Sequence, residues 1–271
     1  MDVVFKTAAG SLLHHQSSLP QVPADHLYLS QVQSALDRSE HFRVLLFSAP
    51  AGFGKSAALA SLAAQREERG HQVVWISLES ADDDPVRFCT RLTESLAAAL
   101  PGVGSDAESY LQNTLSVPVV AVMESLLMDL AHCEQPVLLV LDDFDRIGHE
   151  EILGGLNRLV QYAPPAFTLA IGSRSQPPLN LATWRAKGLL LEVGLEELRL
   201  SEEQTRDYFR RSGLELANEC LRALYTQTEG WVIGVHLVSL WLRQQPSGTP
   251  LNIDALRGDQ RNATPFVVES T

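Results

Sequence analysis

Short apolar runs alternate with helix-forming segments from residue 29 to residue 194. The predicted strands are RVLLFS (43–48), QVVWISL (72–78), PVLLVLDDF (136–144), FTLAIGSR (167–174) and GLLLEVG (188–194). Helices are predicted at 29–39, 55–70, 84–100, 117–133 and 150–163. Continuous apolar runs are typical of strands that are covered on both faces. This alternation predicts an α/β domain in which helices cover a parallel five-stranded sheet through right-handed crossovers.

The pattern changes near residue 196, where only helical segments follow. Ser201, the two acidic residues after it and Gly213 predict a capped helix, and residues 218–245 predict two more helices. We therefore expect a small all-α domain behind the α/β domain. The predicted divisions are an irregular lead-in over 1–25, the α/β domain over 26–195, the helical domain over 196–245 and a tail over 246–271.

Two stretches of the α/β domain predict a helix start and a loop. Asp84 followed by Pro85 predicts an N-cap and the first helical residue of the helix over 84–100. Residues 101–116, PGVGSDAESYLQNTLS, predict a loop that contains about one helical turn. Both predictions concern local structure and are independent of any function.

The first predicted strand runs into the turn APAGFGKS (49–56), which fits the phosphate-binding P-loop pattern with Ala in place of the first Gly. Gly52 and Gly54 allow the backbone N–H groups to point at phosphate oxygens. Lys55 is placed to reach the β- and γ-phosphates and Ser56 to bind Mg²⁺, while the following helix adds its N-terminal dipole. The residues expected to contact the nucleotide are Pro50, Ala51, Gly52, Phe53, Gly54, Lys55, Ser56 and Ala57.

The strand VLLVLDD (137–143) ends in two acidic residues. P-loop NTPases hold Mg²⁺ with an acid at this place, so Asp142 joins Ser56 as an expected metal ligand. Asp143 is expected to orient or deprotonate the water that attacks the γ-phosphate. The alternative is that Asp143 only caps the next turn.

The next strand along the chain, LAIGSR (169–174), ends with Arg174. At the carboxyl edge of a parallel sheet, this side chain could reach the γ-phosphate and distinguish ATP from ADP. The alternative is an ordinary surface arginine after a strand. Asp143 and Arg174 are thus the candidate catalytic residues.

The composition narrows the class of protein. The 271 residues are 45% hydrophobic and carry a net charge of −12, which argues against direct binding of nucleic acid. An odd number of well-separated cysteines (Cys89, Cys133 and Cys220) indicates a reducing compartment and buried thiols, without disulfides or a zinc site. No signal-peptide pattern and no run of about 18 apolar residues occurs, so we expect a cytoplasmic protein with no membrane span.

Taken in order, these motifs resemble the N-terminal ATPase module of the MalT-like, LuxR-type large transcriptional regulators, which belong to the STAND class of P-loop NTPases. The resemblance covers nearly the whole chain. It is carried by FSAPAGFGKS, WISLESADDDPVRF, VLLVLDDFDRI, LAIGSRSQPPL, LLEVGLEELRLSEEQTRDYF and TEGWVIGVHLVSL. The first motif occurs in many P-loop proteins, whereas the ordered set is much more specific.

The resemblance implies a three-layer P-loop NTPase sandwich followed by a helical domain, with ATP or ADP in the cleft between them. It implies Lys55 and Ser56 at the phosphates and Mg²⁺, Asp142 and Asp143 at the metal and water, and Arg174 as γ-phosphate sensor. Gly230 and Trp231 of the EGW element would lie near the nucleotide, or else serve helix entry and core packing.

Two departures from the family pattern stand out. Family members continue into a winged-helix domain, a helical-repeat sensor and a DNA-binding helix-turn-helix, and none of these fits after Gln245. The chain is therefore interpreted as a fragment or a truncated relative, with DNA contact only through a C-terminal domain absent here. Upstream, Ser30 and Gln31 stand where the family tends to place an Arg-Glu pair, which leaves recognition of the base open.

Three functions compete at this point. The first is a signalling switch that ATP holds in one state and slow, Mg²⁺-dependent hydrolysis resets, with self-association in the ATP state. The second is a working ATPase or phosphotransferase, whose acceptor would bind at 101–116 or 175–187 with help from Arg185. The third is an interaction module with a degenerate site, which the intact Lys55, Ser56 and Asp142 argue against.

Overall fold

A computed structural model describes residues 30–113 and 119–244 of the chain. The chain divides into two compact units between Leu198 and Arg199. The predicted lead-in over 1–25 and the predicted tail over 246–271 lie outside the described residues. Within the described part, no helix is both long enough and apolar enough to span a membrane.

The first unit is built on a five-stranded sheet. Its strands are β1 (Val44–Ser48), β2 (Gln72–Ser77), β3 (Val137–Asp142), β4 (Phe167–Ser173) and β5 (Leu190–Val193). The strand order is β2-β3-β4-β1-β5, and all four pairings are parallel. In register, Ser77 lies beside Asp142 and Ser48 lies beside Ser173. The prediction of a parallel five-stranded sheet is confirmed.

Helices cover both faces of this sheet. They are α1 (Ser30–Arg38), α2 (Lys55–Glu68), α3 (Pro85–Ala99), α4 (Ser105–Asn113), α5 (Val119–Ala131), α6 (Glu150–Tyr162), α7 (Leu181–Ala186) and α8 (Leu195–Leu198). One face packs in a single core with α3, α5 and α6, including Leu139, Leu169 and Leu92. Successive strand residues point to opposite faces, so Leu138 and Ala170 face the other side, where α2 lies against the central strands. The result is the expected three-layer sandwich.

Helix α4 corrects one prediction. The loop expected over 101–116 is a nine-residue helix from Ser105 to Asn113 in the described part of that stretch, and residues 114–116 lie outside it. Gly104 reverses the chain with φ +97, and its N–H donates to Asp129 Oδ2 at 2.8 Å. Ala107 is fully buried against the core. The helix presents so few apolar residues that its periodicity is weak in sequence, and tertiary packing stabilises it.

The helix caps predicted at Asp84 and Ser201 are confirmed. Asp84 accepts a hydrogen bond from the Arg87 N–H at 2.9 Å as the N-cap of α3, with Pro85 as first helical residue. Ser201 caps the helix that begins at Glu202 through a reciprocal capping box with Gln204. Of the cysteines, Cys89 and Cys220 are buried and Cys133 is half-buried, and all three are free thiols. Burial raises the pKa of the Cys89 thiol to about 12, so the thiol stays protonated at neutral pH.

The second unit is helical in its described part. Its helices are α9 (Glu202–Arg211), α10 (Asn218–Thr228) and α11 (Val232–Gln244). Gly230 joins α10 to α11 with φ +77, and its carbonyl accepts a 3.0 Å hydrogen bond from the Leu200 N–H. The Trp231 N–H donates to the Thr228 carbonyl at 2.7 Å. Both of these backbone hydrogen bonds lie within the helical unit itself.

Gly230→Ala is expected to destabilise the helical unit by about 2 kcal/mol or more, since a left-handed φ costs an L-residue 1–2 kcal/mol and overpacking adds to it. A Cβ at Gly230 would collide with the Leu200 carbonyl oxygen and lie 3.0 Å from the Leu200 nitrogen. Gly213→Ala is the matched control, because Gly213 also has φ +77 but a Cβ there meets nothing within 4 Å. Urea denaturation of both variants measures the difference, and equal losses would contradict the clash.

Candidate functional site

The turn between β1 and α2 has the backbone of an anion-binding loop. Gly52 and Gly54 adopt φ values of +83 and +82, which favour glycine, and Gly54 is the N-cap of α2. The Ala49 N–H donates to the Ser173 carbonyl at 3.3 Å, which ties the start of the loop to the end of β4. Left-handed residues that alternate with others are the backbone conformation in which successive N–H groups can bind one anion, and the loop leads directly into the fourteen-residue helix α2.

The Lys55 ammonium lies folded over this loop. Its Nζ donates to the carbonyls of Ala49 at 2.8 Å and Pro50 at 3.1 Å, and the residue is 7% exposed. Burial lowers the pKa of Lys55, and the nearby carboxylates of Asp142, Asp145 and Asp143 oppose that shift. The loop carbonyls compensate the buried charge through hydrogen bonds that a stronger acceptor could replace.

Ser56 and Asp142 come together across the sheet edge. Asp142 is the last residue of β3 and is 4% exposed. Burial raises the pKa of its carboxyl group, while the Ser56 hydroxyl and the Asp143 N–H, which donates to Oδ1 at 3.0 Å, stabilise the ionised form. A hydroxyl and a carboxylate are hard oxygen donors of the kind that Mg²⁺ accepts.

These two donors would form only part of a Mg²⁺ shell. Over residues 30–113 and 119–244, no group of three or more His, Cys, Asp or Glu side chains is arranged to hold a metal ion. Mg²⁺ in nucleotide sites is commonly held by one or two protein groups together with phosphate oxygens and water. The Ser56 and Asp142 pair fits that incomplete arrangement.

Gly172 provides the space for the Asp142 carboxylate, and sequence reasoning missed it. A Cβ at Gly172 would collide with Asp142 Oδ1 and lie 2.7 Å from Leu59 Cδ1. The available signal was a glycine inside an otherwise apolar strand run, which often marks a close approach by another group. The position of the candidate metal ligand therefore depends on the absence of a side chain on the next strand.

Asp143 leaves β3 in a strained conformation. Its φ and ψ are 55° and 39°, the left-handed region that Asp tolerates better than most residues. It occupies the N-cap position of the turn Phe144–Arg146, yet its side chain makes no capping hydrogen bond. Its Oδ2 lies 4.0 Å from Arg146 Nη2, and 38% of the side chain is exposed. The capping alternative therefore does not account for this residue.

Arg174 directly follows β4, and Asp145 holds it. The Arg174 N–H donates to Asp145 Oδ1 at 3.1 Å, and Arg174 Nε lies 3.4 Å from Asp145 Oδ2. The guanidinium charge is among those that lower the pKa of Lys55, which places it in the electrostatic neighbourhood of the phosphate loop. Asp145 was not singled out from sequence, although it is the third acid of the DDFD segment.

Two acidic residues after β2, Asp82 and Asp83, stabilise the carboxyl edge of the sheet where Asp142 lies. Asp82 is fully buried, with its Oδ1 2.8 Å from Arg87 Nε and its Oδ2 paired with Arg91. Arg91 Nη2 also donates to the Ser77 carbonyl at 2.7 Å, and Ser77 is the register partner of Asp142. Asp83 Oδ1 accepts from the N–H groups of Gly148 at 2.8 Å and His149 at 2.7 Å. These bonds fasten the segment after β2 to the segment after β3.

The remaining predicted residues belong to the loop itself, to α1 and to α7. Pro50, Ala51 and Ser56 are exposed, and Gly52, Phe53, Gly54 and Ala57 are half-buried, so the loop is accessible from solvent. Ser30 and Gln31 are the first two residues of α1. Arg185, the candidate acceptor-binding residue, forms a bidentate pair with Glu192 at 2.8 Å for both contacts.

Comparisons with known proteins agree with this geometry. The AAA ATPase domain family matches the chain over residues 27–169. The HTH-type transcriptional regulator MalT of Yersinia enterocolitica serotype O:8 / biotype 1B is 29% identical over 219 residues, which are 80% of this chain and 24% of that protein. The chain thus spans about a quarter of the length of the curated relatives it matches.

Solved structures support the fold. The ORC1 protein of Aeropyrum pernix, solved in complex with DNA, aligns with a TM-score of 0.52 and 17% identity over 88% of this chain and 67% of its own. Cdc6p of Pyrobaculum aerophilum aligns with a TM-score of 0.51 and 15% identity over 86% of this chain and 66% of its own. At these identities, the likeness concerns the fold alone.

The family match includes the strand, phosphate loop and helix at 44–68 as well as β3 with its terminal Asp142. It covers more than half of the chain, and the similarity to MalT extends over most of the rest. The resemblance to MalT-like regulators that the ordered motifs indicated is confirmed. The chain belongs to the AAA ATPase domain family, as an ATP-binding P-loop module related to the MalT transcriptional regulators.

Proposed function

We propose that this chain is the ATP-binding switch module of a MalT-like transcriptional regulator, reset by slow Mg²⁺-dependent hydrolysis. The observation that carries the proposal is the convergence of Lys55, the Ser56 and Asp142 pair, Asp143 and Arg174 at the carboxyl edge of one parallel sheet. Ligands of open α/β sheets bind at this edge. Five groups that suit a Mg²⁺-nucleoside triphosphate thus occupy the place where such a ligand binds.

Each group has a proposed role. The backbone N–H groups of residues 51–57 bind the phosphate oxygens, and Lys55 exchanges its loop carbonyls for β- and γ-phosphate oxygens. Ser56 and Asp142 hold Mg²⁺, which when bound neutralises charge on the phosphates. Asp143 orients the attacking water and accepts its proton, and Arg174 contacts the γ-phosphate.

The switch reading is favoured over a working phosphotransferase. Arg185 is already paired with Glu192, and most of the other proposed acceptor segment forms helix α4. A nucleotide switch needs a second element whose conformation can respond to the bound nucleotide, and a helical unit follows the ATPase unit in the chain. We further propose that the ATP state favours self-association, and that any DNA contact of the regulator lies outside this chain.

Lys55→Ala is expected to weaken ATP binding about 10- to 100-fold, because charge-assisted hydrogen bonds contribute about 1.5–3 kcal/mol. Calorimetry with Mg-ATP and Mg-ADP measures the loss, and phosphate release is followed in parallel. Lys187→Ala is the matched control, since Lys187 is exposed at the end of α7. Tight binding of ATP by the wild-type chain, together with slow release of phosphate, supports the switch.

Two results would contradict the proposal in different ways. Fast turnover by the wild-type chain would favour a working enzyme with an acceptor site elsewhere. Equal ATP affinity in the Lys55→Ala variant and the wild type, or no nucleotide binding by either, would mean that the phosphate loop does not serve as the nucleotide site.

A further inference from the structure

The Asp145 carboxylate uses both of its oxygens on a single residue. Oδ1 accepts the Arg174 N–H at 3.1 Å, and Oδ2 lies 3.4 Å from Arg174 Nε. The Asp145 side chain is 19% exposed, whereas the Arg174 side chain is 53% exposed. One carboxylate thus anchors both the backbone and the stem of an arginine whose outer part reaches solvent.

Asp145 contacts Arg174 at Nε, and this choice of atom determines how the pairing affects the guanidinium. An arginine has five N–H donors in one plane, of which Nε carries one and the two terminal Nη groups carry four. An acceptor at Nε fixes the plane and direction of the guanidinium while it leaves the terminal donors for another acceptor. A carboxylate that competed with a phosphate would be expected to engage the terminal Nη groups instead.

The turn that carries Asp145 is anchored in the core by the residues on either side of it. It is the central residue of the turn Phe144–Arg146, and Phe144 is fully buried behind it. The Ile147 N–H closes the turn on the Phe144 carbonyl at 3.0 Å, and Ile147 is also buried. The turn follows β3, and Arg174 follows the neighbouring strand β4. A flexible arginine therefore receives its direction from a side chain on a rigid support.

We propose that Asp145 is a positioning residue that directs Arg174 toward the γ-phosphate and so sets the preference of this site for ATP over ADP. The inference rests on the proposed function, because it assigns a determinant of nucleotide selectivity to the same site. ADP lacks the group that Arg174 would contact, so only ATP gains from an arginine that is already oriented. The charge of Arg174 acts on Lys55, so both cations belong to the electrostatic neighbourhood of the phosphate loop.

The test is a double-mutant cycle on nucleotide affinity. Asp145→Ala, Arg174→Ala and the double variant are compared with the wild type by calorimetry, with Mg-ADP and a Mg²⁺ complex of a non-hydrolysable ATP analogue. Asp145→Ala is expected to weaken the ATP analogue about 5- to 20-fold and to change ADP affinity less than about twofold. In the Arg174→Ala background, Asp145→Ala should add less than about twofold.

A conservative variant and a matched control sharpen the result. Asp145→Asn keeps an acceptor for the Arg174 N–H but lacks the charge at Nε, so its loss of ATP affinity should fall between wild type and Asp145→Ala. Glu192→Ala is the control, because Glu192 also pairs with an exposed arginine through Nε and Nη2, yet on β5. It should leave the ratio of ATP to ADP affinity unchanged.

The possible outcomes distinguish a failure of this inference from a failure of the proposed function. Tighter ATP binding in Asp145→Ala would mean that Asp145 restrains Arg174, and equal losses for ATP and ADP would mean a purely structural role; either overturns the inference alone. A wild-type chain that binds neither nucleotide would overturn the proposed function and the inference together. The positioning role is supported if Asp145→Ala weakens binding of the ATP analogue but not of ADP, and if this loss disappears when Arg174 is already replaced by Ala.

Discussion

Gly172→Ala should remove most of the gain in ATP affinity that Mg²⁺ provides. It should also slow phosphate release about 100-fold, because a displacement of about 1 Å at a catalytic group can lower the reaction rate by that factor. A methyl group at this position would collide with Asp142 Oδ1 and also with Leu59 Cδ1, which lies 2.7 Å away. We therefore expect the carboxylate to shift, which would disturb its hydrogen bond with the Ser56 hydroxyl. The proposed metal site is lost although none of its ligands is changed.

The measurement is a pair of ATP titrations, with Mg²⁺ and with a chelator, on the variant and the wild type. Binding without Mg²⁺ should differ by less than about threefold, because Lys55 and the loop N–H groups are unchanged. Gly154→Ala is the control, since a Cβ at that exposed position of α6 meets nothing within 4 Å. An unaltered Mg²⁺ dependence in Gly172→Ala would show that Asp142 does not hold the metal.

Asp82→Ala is expected to lower the free energy of unfolding of the first unit by about 3–5 kcal/mol, the usual cost of removing one partner of a buried ion pair. Asp82 accepts from Arg87 Nε and from the Glu79 N–H, each at 2.8 Å, and it pairs with Arg91. The Arg91 side chain is only 6% exposed, so its charge would stay buried without its carboxylate. The β2 end beside Asp142 would loosen as well, because Arg91 also binds the Ser77 carbonyl.

Urea denaturation of the nucleotide-free chain gives this loss and is followed by tryptophan fluorescence, to which the buried Trp75 and Trp184 of the first unit contribute. Asp106→Ala is the control, since Asp106 is an exposed acid in the first turn of α4 and surface changes usually stay within about 0.5 kcal/mol. A loss below about 1 kcal/mol in Asp82→Ala would mean that water or a neighbouring acid replaces the carboxylate.

Local patterns were sufficient for the strands, for most helices and for the phosphate loop. The run VLLFS predicts a buried strand because its first four residues are apolar, and the structure buries those four. GFGKS predicts the turn because its two glycines permit left-handed backbone. The helix caps at Asp84 and Ser201 are likewise set by side chains next to the backbone they bind. By contrast, α4 has too few apolar positions to be visible without the core that covers Ala107.

The sequence by itself thus determined the α/β architecture, the phosphate loop and the acids and arginine that follow β3 and β4, because these depend on short-range periodicity and backbone conformation. Only the tertiary structure decided that Gly172 makes room for Asp142, that Asp145 holds Arg174, and that buried Asp82 joins Arg87 and Arg91. The first two of these relations join residues about thirty positions apart in the chain, and no local pattern encodes the contact. They arise because parallel strands bring their carboxyl ends to one edge, where close packing and electrostatic pairing select the partners.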